Sequence, residues 1–403
     1  MRIYNRRIRV LTLLGVNLLM CVMMLTACGS TNANASNGNK NSSSPNSSSN
    51  TKKSSTDISA NVAISSPQVI LGASPCPEAV SSPTHWDAIV GTQSGVSAVG
   101  RVTCANLIGN ATLQALILVG YQGTGNVIDI YVYNNITSPS PTQIFKLQNL
   151  YKGDARISGY NTIITAEVDQ DSSDNKNAGG NNELHPDLFR EFKWSNGAGT
   201  FVQIAFPGIF PVLTRYQAED DQQQVNQGHQ PWQISASMTA QALVANLLKW
   251  SPDSPATITR GGGEHDVEAA VDVTNKSPGG GTIHVAMSRL YGKVSNIWVS
   301  TAVTSDGMSI TAPAAYERLV SPANVTGTSK AVGGKSGTIH IFDHTQTDIG
   351  HADVQPSQGN GSVTVSYNTT FKTGTQEGTV ALYRPGSTDG SIAAAVIVKV
   401  LLG

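Results

Sequence analysis

From residue 96 to residue 403 the chain is a succession of short runs in which apolar side chains take every second position, each bounded by Gly, Asn, Ser or Pro. In "VEAAVDVTN", Val267, Ala269, Val271 and Val273 fall on one side, and Glu268, Ala270, Asp272 and Thr274 on the other. A period of two is the period of a strand, so a chain that repeats it this often folds mainly into sheets. The 39 glycines and 18 prolines supply the turns that many short strands require. Only "ASMTAQALVANLLKW" carries a clear helical stripe, with Ala240, Leu243, Val244, Leu247 and Leu248 at helical spacing before Ser251-Pro252 ends it.

The N-terminus follows a different logic. Arg2, Arg6, Arg7 and Arg9 precede an apolar segment from Val10 to Leu25. A stable membrane-crossing helix needs roughly 20 such residues, so this segment has the length of a signal-peptide core instead. The stretch Leu25-Thr26-Ala27-Cys28 resembles a bacterial lipobox, an aliphatic residue and two small residues before a Cys. That resemblance implies cleavage after residue 27, lipid attachment at Cys28, and a protein held on the extracytoplasmic face of the cell membrane. Residues 28–60 are Ser, Asn, Thr and Lys with almost nothing apolar, and cannot offset the entropy of ordering. They read as a disordered tether with a stretched reach of about 100 Å.

A net charge of −1, with only 13% charged residues, leaves no footprint for nucleic acid or anionic lipid. After removal of the signal peptide, Cys76 and Cys104 are the remaining cysteines besides the anchor. An exported chain permits a disulfide between them, the alternative being two free thiols. The bridge closes a loop of roughly 28 residues, a constraint worth roughly 3 kcal/mol.

Residues 61–230 form a β-rich region on this reading. In "VIDIYVYNN", Ile128, Ile130 and Val132 alternate with Asp129, Tyr131 and Tyr133, one apolar side and one aromatic-polar side. "CANLIGNATLQALILVG" resembles the loop-then-strand unit of FG-GAP or VCBS-type repeats. Cys104 and Gln114 stand where that family has acids, so the resemblance implies the fold and not the calcium site. "EVDQDSSDN" places Asp169, Asp171 and Asp174 at spacings that suit Ca²⁺, but lacks the closing Gly and Glu of an EF-hand; a solvated acidic loop is the plainer reading.

Residues 231–305 read as a small α+β domain, one helix on an antiparallel sheet. Residues 306–403 contain seven short strands at regular spacing, the pattern of an immunoglobulin-like sandwich. The segment "ITAPAAYERLVSPANVTGTSKA", Ile349-Gly350, Gly378-Thr379-Val380 and the closing "GSTDGSIAAAVIVKV" resemble the immunoglobulin-like domain of bacterial spore germination proteins. The resemblance covers about a quarter of the chain and implies an envelope module without catalysis. The fold class is therefore mainly β and multidomain.

Catalytic signals are weak. Glu264, His265 and Asp266 are consecutive and cannot all face one ion from a strand; they read as a polar turn. His344, Asp348 and His351 lie where a hairpin turn is expected, and turn chemistry accounts for them. No nucleophile elbow, HExxH motif or reactive cysteine is present. No catalytic residue, metal or cofactor is expected. The expected role is binding or structural work in the cell envelope, toward a cell-wall polymer or an envelope protein, with a link to sporulation or germination. The alternative is a glycan-binding protein or a carbohydrate-active hydrolase. Its site would lie in residues 61–230, through Trp86, Tyr121, Tyr131, Tyr133 and Trp194 for binding, or Glu167, Asp169 and Glu191 for hydrolysis.

Overall fold

The computed structural model describes residues 72–123, 126–180, 183–329, 337–354, 360–387 and 390–403. Cys28, the apolar N-terminal run and the tether lie outside them. The architecture is mainly β, in several domains. Among the described residues, no helix is long and apolar enough to cross a membrane.

Two short helices, α1 (Glu78–Ser81) and α2 (Pro83–Val90), open the folded body. Strands β1 (Ser97–Ala105), β2 (Gln114–Tyr121), β3 (Val127–Asn134) and β4 (Thr142–Tyr151) then form an antiparallel meander. A second meander follows from β5 (Asp154–Ile157), β6 (Ile163–Glu167), β7 (Leu188–Ser195) and β8 (Thr200–Ile204). Leu116, Leu118, Ile130 and Val132 of the first sheet share one core with Ile157, Ile163 and Phe192 of the second. The opposite, aromatic side of the first sheet is covered by α2, whose Trp86 is fully buried against Tyr133.

Helix α3 (Arg215–Asn226) was not foreseen from hydrophobic periodicity. Its buried stripe is Arg215, Ala218, Glu219 and Gln222, helical in spacing but polar in composition. Thr214 caps it by accepting from the Gln217 backbone N–H at 3.3 Å. Helix α4 (Ala236–Leu247) is the expected amphipathic helix, capped by Ser235. It packs on β9 (Ala256–Gly261), β10 (Glu268–Thr274), β11 (Thr282–Arg289) and β12 (Trp298–Ser305), burying Ala240, Leu243 and Val244 against Val271, Val273 and Val285.

The remaining strands are β13 (Met308–Ala312), β14 (Arg318–Leu319), β15 (Ala323–Ser329), β16 (Gly337–Phe342), β17 (Asp348–Val354), β18 (Asn360–Val365), β19 (Gln376–Pro385) and β20 (Ile392–Leu402). Seven of them correspond to the seven expected, and they divide into two layers. Strands β13, β15 and β18 form one sheet; β17, β16, β19 and β20 lie in the other, with a core of Val325, Ile339, Ile341, Val380, Val396 and Val400 between. This is a sandwich, and its second sheet does not stop at the expected boundary between residues 305 and 306. It continues through β12, β11 and β10 to β9, as one nine-stranded sheet that includes β14 beside β20. Strand β20 therefore serves two cores: Ala394, Val396 and Val400 face the sandwich, while Ala395 and Ile397 join the core beneath α4.

Candidate functional site

Cys76 and Cys104 form a disulfide, with a Cα–Cα distance of 5.1 Å. It pins the segment before α1 to β1, where Ser74 also makes a β-bridge to Cys104. In the loop that precedes β2, the buried side chain of Gln114 accepts from the backbone N–H groups of Leu107 (2.7 Å) and Ile108 (3.2 Å). Asn106 accepts from Gly109 at 2.9 Å, and Asn110 accepts from Thr112 at 3.1 Å. Amides organise this turn by bonding its backbone directly.

The three aspartates of the acidic loop do not converge. Asp171 and Asp174 are exposed, whereas Asp169 is 4% exposed and turned inward. Asp169 accepts from the Thr370 hydroxyl and from the Asp171 backbone N–H, while Asp187 accepts from the Asp169 N–H at 2.9 Å and from the Ser172 hydroxyl. The imidazole of His344 lies between the two acids, its Nε2 at 4.0 Å from Asp169 and 3.9 Å from Asp187. His344 is thus sequestered, with Nδ1 bonded to Gln376, and stands apart from Asp348 and His351.

The aromatic and carboxylate sets named for a glycan or hydrolase site are structural in large part. Trp86, Tyr131 and Tyr133 belong to the core under α2. Tyr121 is half-buried and donates to Asp129 at 2.9 Å, and Trp194 packs edge-on against Phe201. Glu167 is paired with Arg190, and Glu191 accepts from Arg215 (2.6 Å) and the Thr162 hydroxyl (2.6 Å). Glu264, His265 and Asp266 are exposed in the turn before β10, as their spacing suggests.

Around α3 a second set of charges is buried. Glu219 accepts from the Gly159 N–H at 3.0 Å, with Arg156 at 4.0 Å. Burial pushes its carboxyl up to about 7, against the pull of these partners. Deeper still, Lys399 of β20 lies 3.1 Å from Glu377 of β19 and donates to the Leu213 carbonyl at 2.6 Å; both ionisable side chains are essentially inaccessible. Burial pushes Glu377 up to about 7 and Lys399 down from its ordinary value. These groups bind one part of the fold to another and present nothing to solvent.

Among the described residues, one open surface lies between the outer face of the sandwich sheet and the end of α4. An open cleft has walls formed by Leu213, Leu247, Phe342, Tyr383 and Ile397. Asn246, Lys249, Gln346 and Thr379 place amide, ammonium and hydroxyl groups around it. An apolar, partly aromatic floor with a few polar groups is the usual make-up of a small-ligand site. The positions of Phe342 and Tyr383 follow from strand alternation: Ile341 and Leu382 enter the sandwich core, so their neighbours face outward.

Further along this face the aromatic row continues into His340. Its ring stacks on Phe342 at 5.8 Å and lies 5.1 Å from Tyr383. Asp348 Oδ2 is 2.9 Å from His340 Nδ1 and 3.2 Å from His351 Nδ1. Burial raises the Tyr383 hydroxyl well above its ordinary value, and the nearby Asp348 charge adds to the effect. Sequence reading grouped Asp348 and His351 with His344; the structure puts His340 in that place. The signal available was the hairpin pairing, which sets residue 340 opposite 351. Searched against protein-family models and curated proteins, the chain matches none.

Proposed function

We propose that the chain is a membrane-anchored lipoprotein of the extracytoplasmic face, with a binding role in the cell envelope exercised through the cleft beside α4. The observation that carries this reading is the Cys76–Cys104 disulfide, because such bonds persist in exported proteins and are rare in a reducing cytosol. It agrees with the signal-peptide pattern and the lipobox that ends at Cys28. The seven-stranded sandwich supports, at the level of fold, the resemblance to germination-protein modules, and with it a role in a sporulating bacterium. The cleft supplies aromatic rings and amide groups, a combination suited to a cell-wall glycan, and the role is binding without catalysis.

Two measurements test this. Metabolic labelling with a fatty acid should mark the wild-type chain and not Cys28→Ala; a lipidated variant removes the anchor. Purified cell-wall fractions should retain the wild-type protein, and Tyr383→Ala should lower that retention about tenfold, the effect of losing roughly 1.4 kcal/mol of contact. Equal retention of both proteins would assign the cleft no part in it.

A further inference from the structure

The geometry points to a binding site for a divalent transition-metal ion of the zinc class, held by His340 Nδ1, His351 Nδ1 and Asp348 Oδ2 on the outer face of the β16–β17 hairpin. His340 and His351 are directly opposed in the antiparallel register, which brings their side chains to the same face. Asp348 precedes His351 by three residues, and strict alternation would send it to the opposite face. It does not go there, because the register slips: Ile341 pairs with Gly350, but Phe342 pairs with Asp348. Ile349 is the extra residue of a β-bulge, a device that re-aims a side chain at the cost of one ladder position. The bulge returns the carboxylate to the side of both imidazoles.

The resulting distances suit an ion. The three ligand atoms all lie within 4.8 Å of one another, and the carboxylate oxygen is 2.9 Å and 3.2 Å from the two nitrogens. Tetrahedral zinc, with bonds of about 2.0–2.2 Å, spaces its ligands about 3.3 Å apart. The carboxylate–imidazole separations therefore need open by only a few tenths of an ångström, and the two imidazole nitrogens, no more than 4.8 Å apart, close on the ion by side-chain rotation. The supporting contacts restrain the ligands. Asp348 Oδ1 accepts from the Gly350 N–H at 3.2 Å, and the His340 ring packs against both Phe342 and Tyr383. Gly350 is required at the bulge, since a Cβ there would stand 2.4 Å from the Ser366 carbonyl oxygen.

Two imidazoles and one carboxylate form a borderline-soft donor set, which selects Zn²⁺, Co²⁺, Ni²⁺ or Cu²⁺ over the oxygen-seeking Ca²⁺ and Mg²⁺. On binding, each Nδ1 lone pair goes to the metal and the ring proton resides on Nε2. Three protein ligands leave a fourth position for water or for a donor atom of a bound molecule. This inference does not depend on the envelope role, and its test has a separate readout.

Co²⁺ titrated into the full chain in detergent micelles should produce visible ligand-field bands that saturate at one equivalent and are abolished by Zn²⁺. Asp348→Asn and His351→Gln should each weaken binding by at least about tenfold. The His351 side chain is 65% exposed, so its replacement leaves the fold intact, and metal-free thermal melting should match the wild type. His284→Gln, which alters a different His–Asp pair on β11, should leave the titration unchanged. Absence of saturable uptake, or uptake indifferent to both Asp348→Asn and His351→Gln, would overturn the assignment.

Discussion

Glu219 illustrates what single residues do in this protein. It is 2% exposed and partnered by one backbone N–H and a guanidinium at the limit of ion-pair range, so ionisation there is costly. With its carboxyl pushed up to about 7 from 4.5, the folded chain keeps a proton that the unfolded chain has lost across that interval. Stability from this group is therefore complete below pH 4.5, falls as pH rises toward 7, and is level beyond it. Glu219→Gln should reduce the pH dependence by about 3 kcal/mol at most between these limits, measured by urea denaturation at several pH values. An unchanged slope would place the titration elsewhere. Gln114 makes the complementary point: its place at the junction of loop and strand was legible in the sequence, whereas its burial and its acceptance from two backbone N–H groups were not.

At the scale of elements, the strands were the most legible part because alternation is a local property. Helix α3 was not, since a helix buried through Arg215, Glu219 and Gln222 carries no apolar stripe; its partners, Glu191, Gly159 and Asn296, come from distant segments. Strand β20 shows a related effect. Its nearly continuous apolar run is that of a strand covered on both faces, and Lys399 is tolerated within it because Glu377 and the Leu213 carbonyl receive its ammonium. Ending the chain at Ala395 removes Val396, Ile397, Val400, Leu401 and Leu402, all buried. Each contributes about 1.5–3 kcal/mol, against a typical total of about 5–15 kcal/mol. The truncated chain should lose cooperative melting of both the sandwich and the sheet beneath α4, followed by circular dichroism; a wild-type transition would contradict the shared-strand account.

For the whole molecule, the constraints act on chain topology. The disulfide closes a 28-residue separation and anchors the α1–α2 segment over the aromatic face of the first meander. Replacing both Cys76 and Cys104 with Ser should lower stability by about 3 kcal/mol in chemical denaturation, and the denatured, unreduced wild-type body should show no free thiol there. An unaffected denaturation midpoint would remove the bridge from the stability account. The sequence by itself determined the β class, the seven strands of the C-terminal region, a helix within residues 236–250 and the pairing open to Cys76 and Cys104. Each of these depends on periodicity, length or composition within a short window. Only the tertiary structure decided that one sheet joins residues 231–305 to 306–403, that Trp86, Tyr131 and Tyr133 are core residues, and that His340 rather than His344 stands beside Asp348 and His351. The reason is common to all three. Register, bulges and the covering of a second sheet face are set by pairing between segments far apart in the chain, and a one-residue shift in register moves every side chain of a strand to the opposite face.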